Sequence, residues 1–259
     1  MGVIRTDLWL EKSEDVMYWC KRLEKYFPEA SAVDIYKHLH AHGLYAPSSR
    51  NPETPVPQLD KRIWYTVKAE KLKLKKSWQV PKVPVFILPA DTENHQLQRD
   101  YNGKAGLSFY DKLFLFVSAH HDEHEIRSVF IHEYNHVARL NHYHKTEDEI
   151  SFIDSVIMEG LAEYAVYDLL GKENTANWTN YYNAKEISYI IEKFIRPYQT
   201  LKRSHPLHDR ILYGQQRYPA MAGYAAGYHM VKSYVKQTAT TWPELLETPS
   251  ENIASLAQN

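Results

Sequence analysis

The pentapeptide His132-Glu133-Tyr134-Asn135-His136 sets two histidines four residues apart, with a glutamate beside the first. On a helix that spacing puts both imidazoles on one face. Both can then reach a single Zn²⁺ at about 2.0–2.1 Å. Glu133 falls next to the metal's open position, where a carboxylate can take a proton from water. The run Val137 to Leu140 continues the helical pattern without a glycine, so the reading predicts an unbroken helix over about residues 122–141.

Two histidines leave one protein ligand to find, because a catalytic zinc usually has three plus water. Downstream lies Met158-Glu159-Gly160-Leu161-Ala162-Glu163-Tyr164, with two acids spaced i, i+4 on an expected second helix. One acid can bind the metal while the other accepts a hydrogen bond from the free ring nitrogen of a ligand histidine, fixing its tautomer. Glu159 is assigned as the ligand and Glu163 as the bracing carboxylate. His142 is the rival third ligand, since His132, His136 and His142 fit the spacing H-E-x-x-H-x-x-G-x-x-H. That pattern needs a glycine for its sharp turn. Arg139 stands there instead, and an unbroken helix carries residue 142 away from the metal. His142 and His144 are expected at an exposed helix end, where imidazoles suit the dipole.

The segment Glu159-Gly160-Leu161-Ala162-Glu163-Tyr164 resembles the N-E-G-F-A-x-Y segment of gluzincin metallopeptidases, with Met158 standing where asparagine is common. In that clan the first glutamate is the third zinc ligand and the acid four residues later braces a histidine. Between about residues 110 and 236 the chain also resembles a small bacterial family of predicted Zn-dependent proteases. The resemblance rests on a hairpin, I-H-E-Y-N-H, E-G-L-A-E-Y and a late G-Y-A-A-G-Y-H stretch. It implies a gluzincin-like core with His132, His136 and Glu159 on Zn²⁺ and Glu133 as general base. It names no substrate beyond a peptide or protein.

Such a reaction builds negative charge on an oxygen, and enzymes commonly place a hydrogen-bond donor beside it. Gly223-Tyr224-Ala225-Ala226-Gly227-Tyr228-His229 is the best source. Tyr224 and Tyr228 share a helix face, and small residues between them permit close approach. Either tyrosine is the expected donor, with His229 and the His205-Pro206-Leu207-His208 segment behind them.

The expected architecture is α+β and predominantly helical. Residues 1–58 form a helical segment and a Pro-rich connector, 59–144 a mixed lobe ending in the zinc helix, and 145–259 a helical lobe. Helices are expected over 14–27, from Ser31 and Asp34 to near Gly43, and over 60–77. Further helices are expected around 148–170, 178–196, 220–236 and 241–248. Four prolines make 46–58 an extended connector. Strand signals lie at Val83–Leu88, with Pro84 placing it at an edge or a strand start. Residues 106–110 and 113–118 read as a hairpin about a turn at Asp111-Lys112. Residues 113–118 are either a core strand or an edge strand that pairs with substrate backbone.

A net charge of −1 gives no reason to expect nucleic-acid or membrane partners. One cysteine, Cys20, cannot make an internal disulfide, which fits a reducing compartment. The first residues lack an apolar secretory stretch, so a cytoplasmic location is expected. The loose myristoylation pattern at Gly2 and the glycosylation pattern at Asn177 are discounted. Oligomeric state is left open. The functional expectation is a zinc metallopeptidase. The alternatives are a zinc-containing regulatory or holdase-like peptide-binding protein, or a hydrolase of non-peptide amides.

Overall fold

A computed structural model describes residues 2–47, 56–95, 98 and 102–256. The chain is α+β and mostly helical, with one three-stranded sheet among the described residues. It divides into two compact units: Met1–Lys73 with Pro81–Glu133, and Leu74–Val80 with Tyr134–Asn259. Most of the expected connector at 46–58 lies outside the described residues. Among the described residues, no helix is long and apolar enough to cross a membrane.

The first unit holds helices α1 (Asp7–Lys12), α2 (Val16–Leu23), α3 (Ala32–Ala41) and most of α4 (Arg62–Ser77). Its sheet is β1 (Val85–Pro89), β2 (Ala105–Ser108) and β3 (Leu113–Val117), in the order β1-β3-β2. The expected cap of α3 is present as a reciprocal box: Ser31 Oγ accepts from the Asp34 N–H, and Asp34 accepts from the Ser31 N–H. Strand β1 begins directly after Pro84, which has no N–H to give a ladder.

The sheet decides between the two readings of residues 113–118 in favour of the core strand, and it corrects the place of the turn. Strand β3 is central, paired in parallel with β1 and antiparallel with β2, and all five of its residues are buried. A continuous apolar run, Leu113-Phe114-Leu115-Phe116-Val117, suits a strand covered on both faces. The edge strand of the hairpin is therefore β2, whose residues are half-buried. The turn also sits one residue earlier than expected. Ser108 pairs with Leu113, and the Phe109 N–H donates to the Lys112 carbonyl at 2.9 Å, leaving Tyr110-Asp111 as the tip.

Alternation along the strands builds the core. Phe86 and Leu88 of β1 and Phe114 and Phe116 of β3 share one face. They pack with Trp9, Trp19, Cys20, Leu23, Ile35 and Leu39 of α1–α3. Phe86 and Phe114 stack at 4.8 Å between ring centroids. Such a pair contributes about 0.5–1.5 kcal/mol beyond its buried area. Cys20 is a packed apolar side chain here, and burial, helped by the Asp15 charge, pushes its thiol up to about 12.

Helix α5 (Glu123–His142) starts in this unit, and the chain enters the second unit after Glu133. Its first turn is capped by Asp122 and Glu125, each accepting the other's backbone N–H. No break occurs before His142. In the second unit, α6 (Phe152–Leu170) packs along α9 (Ala222–Thr238). Ser151 and Asp154 cap α6 reciprocally, and Gly171 at φ +91° ends it. Around this pair lie α7 (Ala184–Ile190), α8 (Leu207–Leu212), α10 (Trp242–Glu247) and α11 (Ser250–Leu256). The helix expected over 178–196 is broken into a 3₁₀ turn, α7, a π-helical stretch at Ile191–Ile195 and a second 3₁₀ turn.

Candidate metal centre

Helix α5 is anchored at its C-terminal end by Arg139. The buried Arg139 guanidinium donates to the Leu246 carbonyl at 2.6 Å, the Thr248 carbonyl at 2.8 Å and Ser250 Oγ at 3.0 Å. These bonds tie the helix to α10 and α11, which explains why arginine stands where a turn-forming glycine was needed for the rival ligand set. His142 lies in the same packing. Its Nε2 is 2.7 Å from the Trp78 carbonyl and its Nδ1 is 3.2 Å from Glu247. The ring is mostly buried rather than exposed, a correction to its expected place at an open helix end.

His132, Glu133 and His136 present ligand atoms that all lie within 4.8 Å of one another on α5. His136 is buried, while His132 and Glu133 are half-buried. Glu159, half-buried on α6, brings its carboxylate to 3.5 Å from His136 Nε2. Imidazole nitrogens with carboxylate oxygen form a donor set that suits Zn²⁺. The residues present therefore fit such an ion.

Glu133 is held from the sheet side. Residues 106 and 108 point to the same face of β2. Gly106 leaves room there: a Cβ at that position would lie 2.2 Å from Glu133 Cγ. Ser108 Oγ lies 2.6 Å from Glu133 Oε2 and 2.8 Å from the Glu133 carbonyl oxygen. The alternate residues, Ala105 and Leu107, pack against the core. The edge strand thus spends one face on packing and the other on Glu133.

The chain belongs to a family of predicted Zn-dependent proteases. Its family model, "Predicted Zn-dependent protease (DUF2268)", matches residues 63–255. The chain is 34% identical to the Bacillus subtilis (strain 168) protein YjaZ, described as uncharacterized, over 254 residues covering 97% of each chain. A second uncharacterized protein of that strain, YjfC, is 27% identical over 175 residues, 64% of this chain and 58% of the relative. No solved structure matches the chain. In this family member the motif histidines and Glu133 occupy one helix, as the H-E-x-x-H spacing requires.

The remaining expected residues fall in the second unit. Glu163 is buried, and its Oε1 accepts the Ala176 N–H at 2.5 Å. Tyr224 and Tyr228 are both buried on α9 and both meet the Trp178 ring edge-on. Burial, with Tyr167 and Glu163 nearby, raises the Tyr228 phenol. His229 is lowered by burial and by Lys232. His208 has both ring nitrogens engaged, with Asp209 at 2.8 Å and Ser155 at 2.9 Å.

No motif in the sequence marks Tyr213. It follows α8, is 37% exposed, and its ring centroid lies 5.6 Å from that of Tyr224. Burial of its phenol raises its pKa, the Glu159 charge raises it further, and a hydrogen bond with Tyr224 opposes both. Nearby backbone is constrained: Gln216 and Met221 adopt positive φ, and the Met221 N–H donates to the Tyr213 carbonyl at 3.0 Å. Non-glycine residues in that region cost energy and cluster at functional sites.

Proposed function

We propose that this protein is a zinc-dependent peptidase with a gluzincin-like ligand set of His132, His136 and Glu159. The observation that carries the reading is the H-E-x-x-H group on one helix, in a chain whose family is described as predicted Zn-dependent proteases. Bound Zn²⁺ would lower the pKa of water toward about 7 and polarise the scissile carbonyl. Glu133 takes a proton from the attacking water and delivers it to the amine as the C–N bond breaks. Glu163 braces a ligand histidine. A phenol from Tyr224 or Tyr228, or from Tyr213 beside Glu159, donates to the developing oxyanion.

The substrate strand is assigned to the outer edge of β2. Among the described residues no strand pairs with that edge. An extended peptide added there would gain main-chain hydrogen bonds on the strand that carries Ser108 and Gly106. Of the two readings of residues 113–118, the edge role thus passes to β2, because β3 is central.

The test is cleavage of fluorescein-labelled casein by the zinc-loaded chain, with Glu133→Gln alongside and fragments read by mass spectrometry. Fragments from wild type alone are expected. Intact casein with a full complement of zinc in wild type would sink the peptidase reading and favour peptide binding without turnover.

A further inference from the structure

We propose that Ser108 is a positioning residue whose hydroxyl, bonded to the side chain and backbone of Glu133, holds that carboxylate in one place. The inference rests on the general-base reading of Glu133. Its basis is that one hydroxyl has two acceptors of the same residue within reach, Oε2 at 2.6 Å and the backbone carbonyl at 2.8 Å.

Ser108 has a single O–H, so one proton must serve two acceptors. The hydroxyl reaches Oε2 at 2.6 Å, the length of a charge-assisted O–H···O⁻ bond. The Glu133 carbonyl, at 2.8 Å, offers a second lone pair to the same hydroxyl beside any helix bond. The head and the backbone of Glu133 are thus both within reach of one hydroxyl on β2.

The strand supplies the geometry. Gly106 and Ser108 occupy one face of β2, so the glutamate stem crosses above the glycine and its head meets the hydroxyl two residues on. An alanine at 108 would remove the donor to the carboxylate. Glu133 could then swing, and displacement of a catalytic group by about 1 Å can cost about a hundredfold in rate.

The experiment compares wild type with Ser108→Ala and Ser108→Thr in the zinc-loaded full chain, on fluorescein-labelled casein. For Ser108→Ala, kcat is expected to fall about tenfold to a hundredfold with KM nearly unchanged. Ser108→Thr, which keeps the hydroxyl on a β-compatible side chain, is expected to restore most of the rate. An alanine variant with wild-type kcat, or a threonine variant as slow as alanine, overturns the proposal.

A second arm needs no turnover. The infrared carboxylate stretch of Glu133 is isolated as wild type minus Glu133→Gln, and again in the Ser108→Ala background. A shifted band in the alanine background, and an unshifted one with threonine, supports the hydrogen bond. An identical band in all three overturns it. If wild type leaves casein intact, the peptidase reading fails on that observation, and the infrared arm alone decides the place of Ser108.

Discussion

Gly160 and Gly227 meet backbone to backbone where α6 crosses α9. A Cβ on Gly160 would lie 2.3 Å from the Gly227 carbonyl, and one on Gly227 would lie 1.9 Å from the Val156 oxygen. Neither backbone can yield without separating the helices. Gly160 adjoins Glu159, and Gly227 adjoins Tyr228, so this crossing sets how the carboxylate helix meets the tyrosine helix. Gly227→Ala should therefore destabilise the fold by at least about 3 kcal/mol, at the upper end of overpacking costs. Gly2→Ala is the control, because nothing lies within 4 Å of a Cβ there. Its expected change is within about 0.5 kcal/mol. Urea unfolding midpoints of the two variants check the contrast, and equal midpoints would show that the crossing relaxes freely.

Gly106 makes a different kind of close approach, and a different outcome follows. The atoms its Cβ would meet belong to the Glu133 side chain, not to backbone. A side chain can rotate away, so Gly106→Ala should fold with a midpoint within about 1 kcal/mol of wild type and keep its zinc. Its turnover should fall by about tenfold or more, because the carboxylate is pushed from its place. Thermal melting, metal content and casein cleavage on one preparation separate these effects.

Metal content sorts the roles within the proposed ligand set. Glu133→Gln should hold zinc like wild type after dialysis while turnover falls about a hundredfold or more. Glu159→Ala should lose zinc. His142→Ala should retain it, because His142 is engaged with Trp78 and Glu247. That variant should instead lose about 1–3 kcal/mol of stability, the cost of leaving a buried carbonyl unpaired. Zinc bound equally by wild type and Glu159→Ala would remove Glu159 from the ligand set.

Local signals in the sequence located the elements that local physics decides. Ser31 with Asp34 marked the cap of α3, and the uninterrupted pattern after His136 placed α5 to within one residue at each end. The hairpin is legible, but its turn is not, because Tyr110-Asp111 and Asp111-Lys112 both place the turn-favouring Asp111 at the tip. Strand pairing was the larger loss. That β1 runs parallel to β3 is a contact between residues far apart in sequence, and no short window contains it. Helices α1, α8 and α11 are six or seven residues long, too short for a 3.6-residue period to stand out. In the site, the H-E-x-x-H spacing carried its own geometry. Ser108 and Tyr213 have no such signature: Glu133 and Glu159, the acids that mark them, lie more than twenty residues away, and tyrosine is common in this chain.

Asp154 links the cap of α6 to pH. Burial pushes its carboxyl upward, but hydrogen bonds from Lys145, Ser151 and Ser250 outweigh that and hold it below the usual carboxylate value. Lys145 Nζ lies 2.8 Å from its Oδ2. A carboxyl depressed in the folded state stabilises the protein above its unfolded value, about 3.9, and loses that stabilisation as pH falls through the folded value. Asp154→Asn should thus be less stable than wild type near neutral pH by about 1.5–3 kcal/mol, the range for hydrogen bonds to a charged group. The difference should persist down to about pH 4 and shrink below it, as wild type takes up the proton that the variant never binds. Urea midpoints of both proteins across that range measure the gap directly. A gap that stays constant in acid would mean that the asparagine disrupts the shape of the cap, and that the charge on Asp154 contributes nothing.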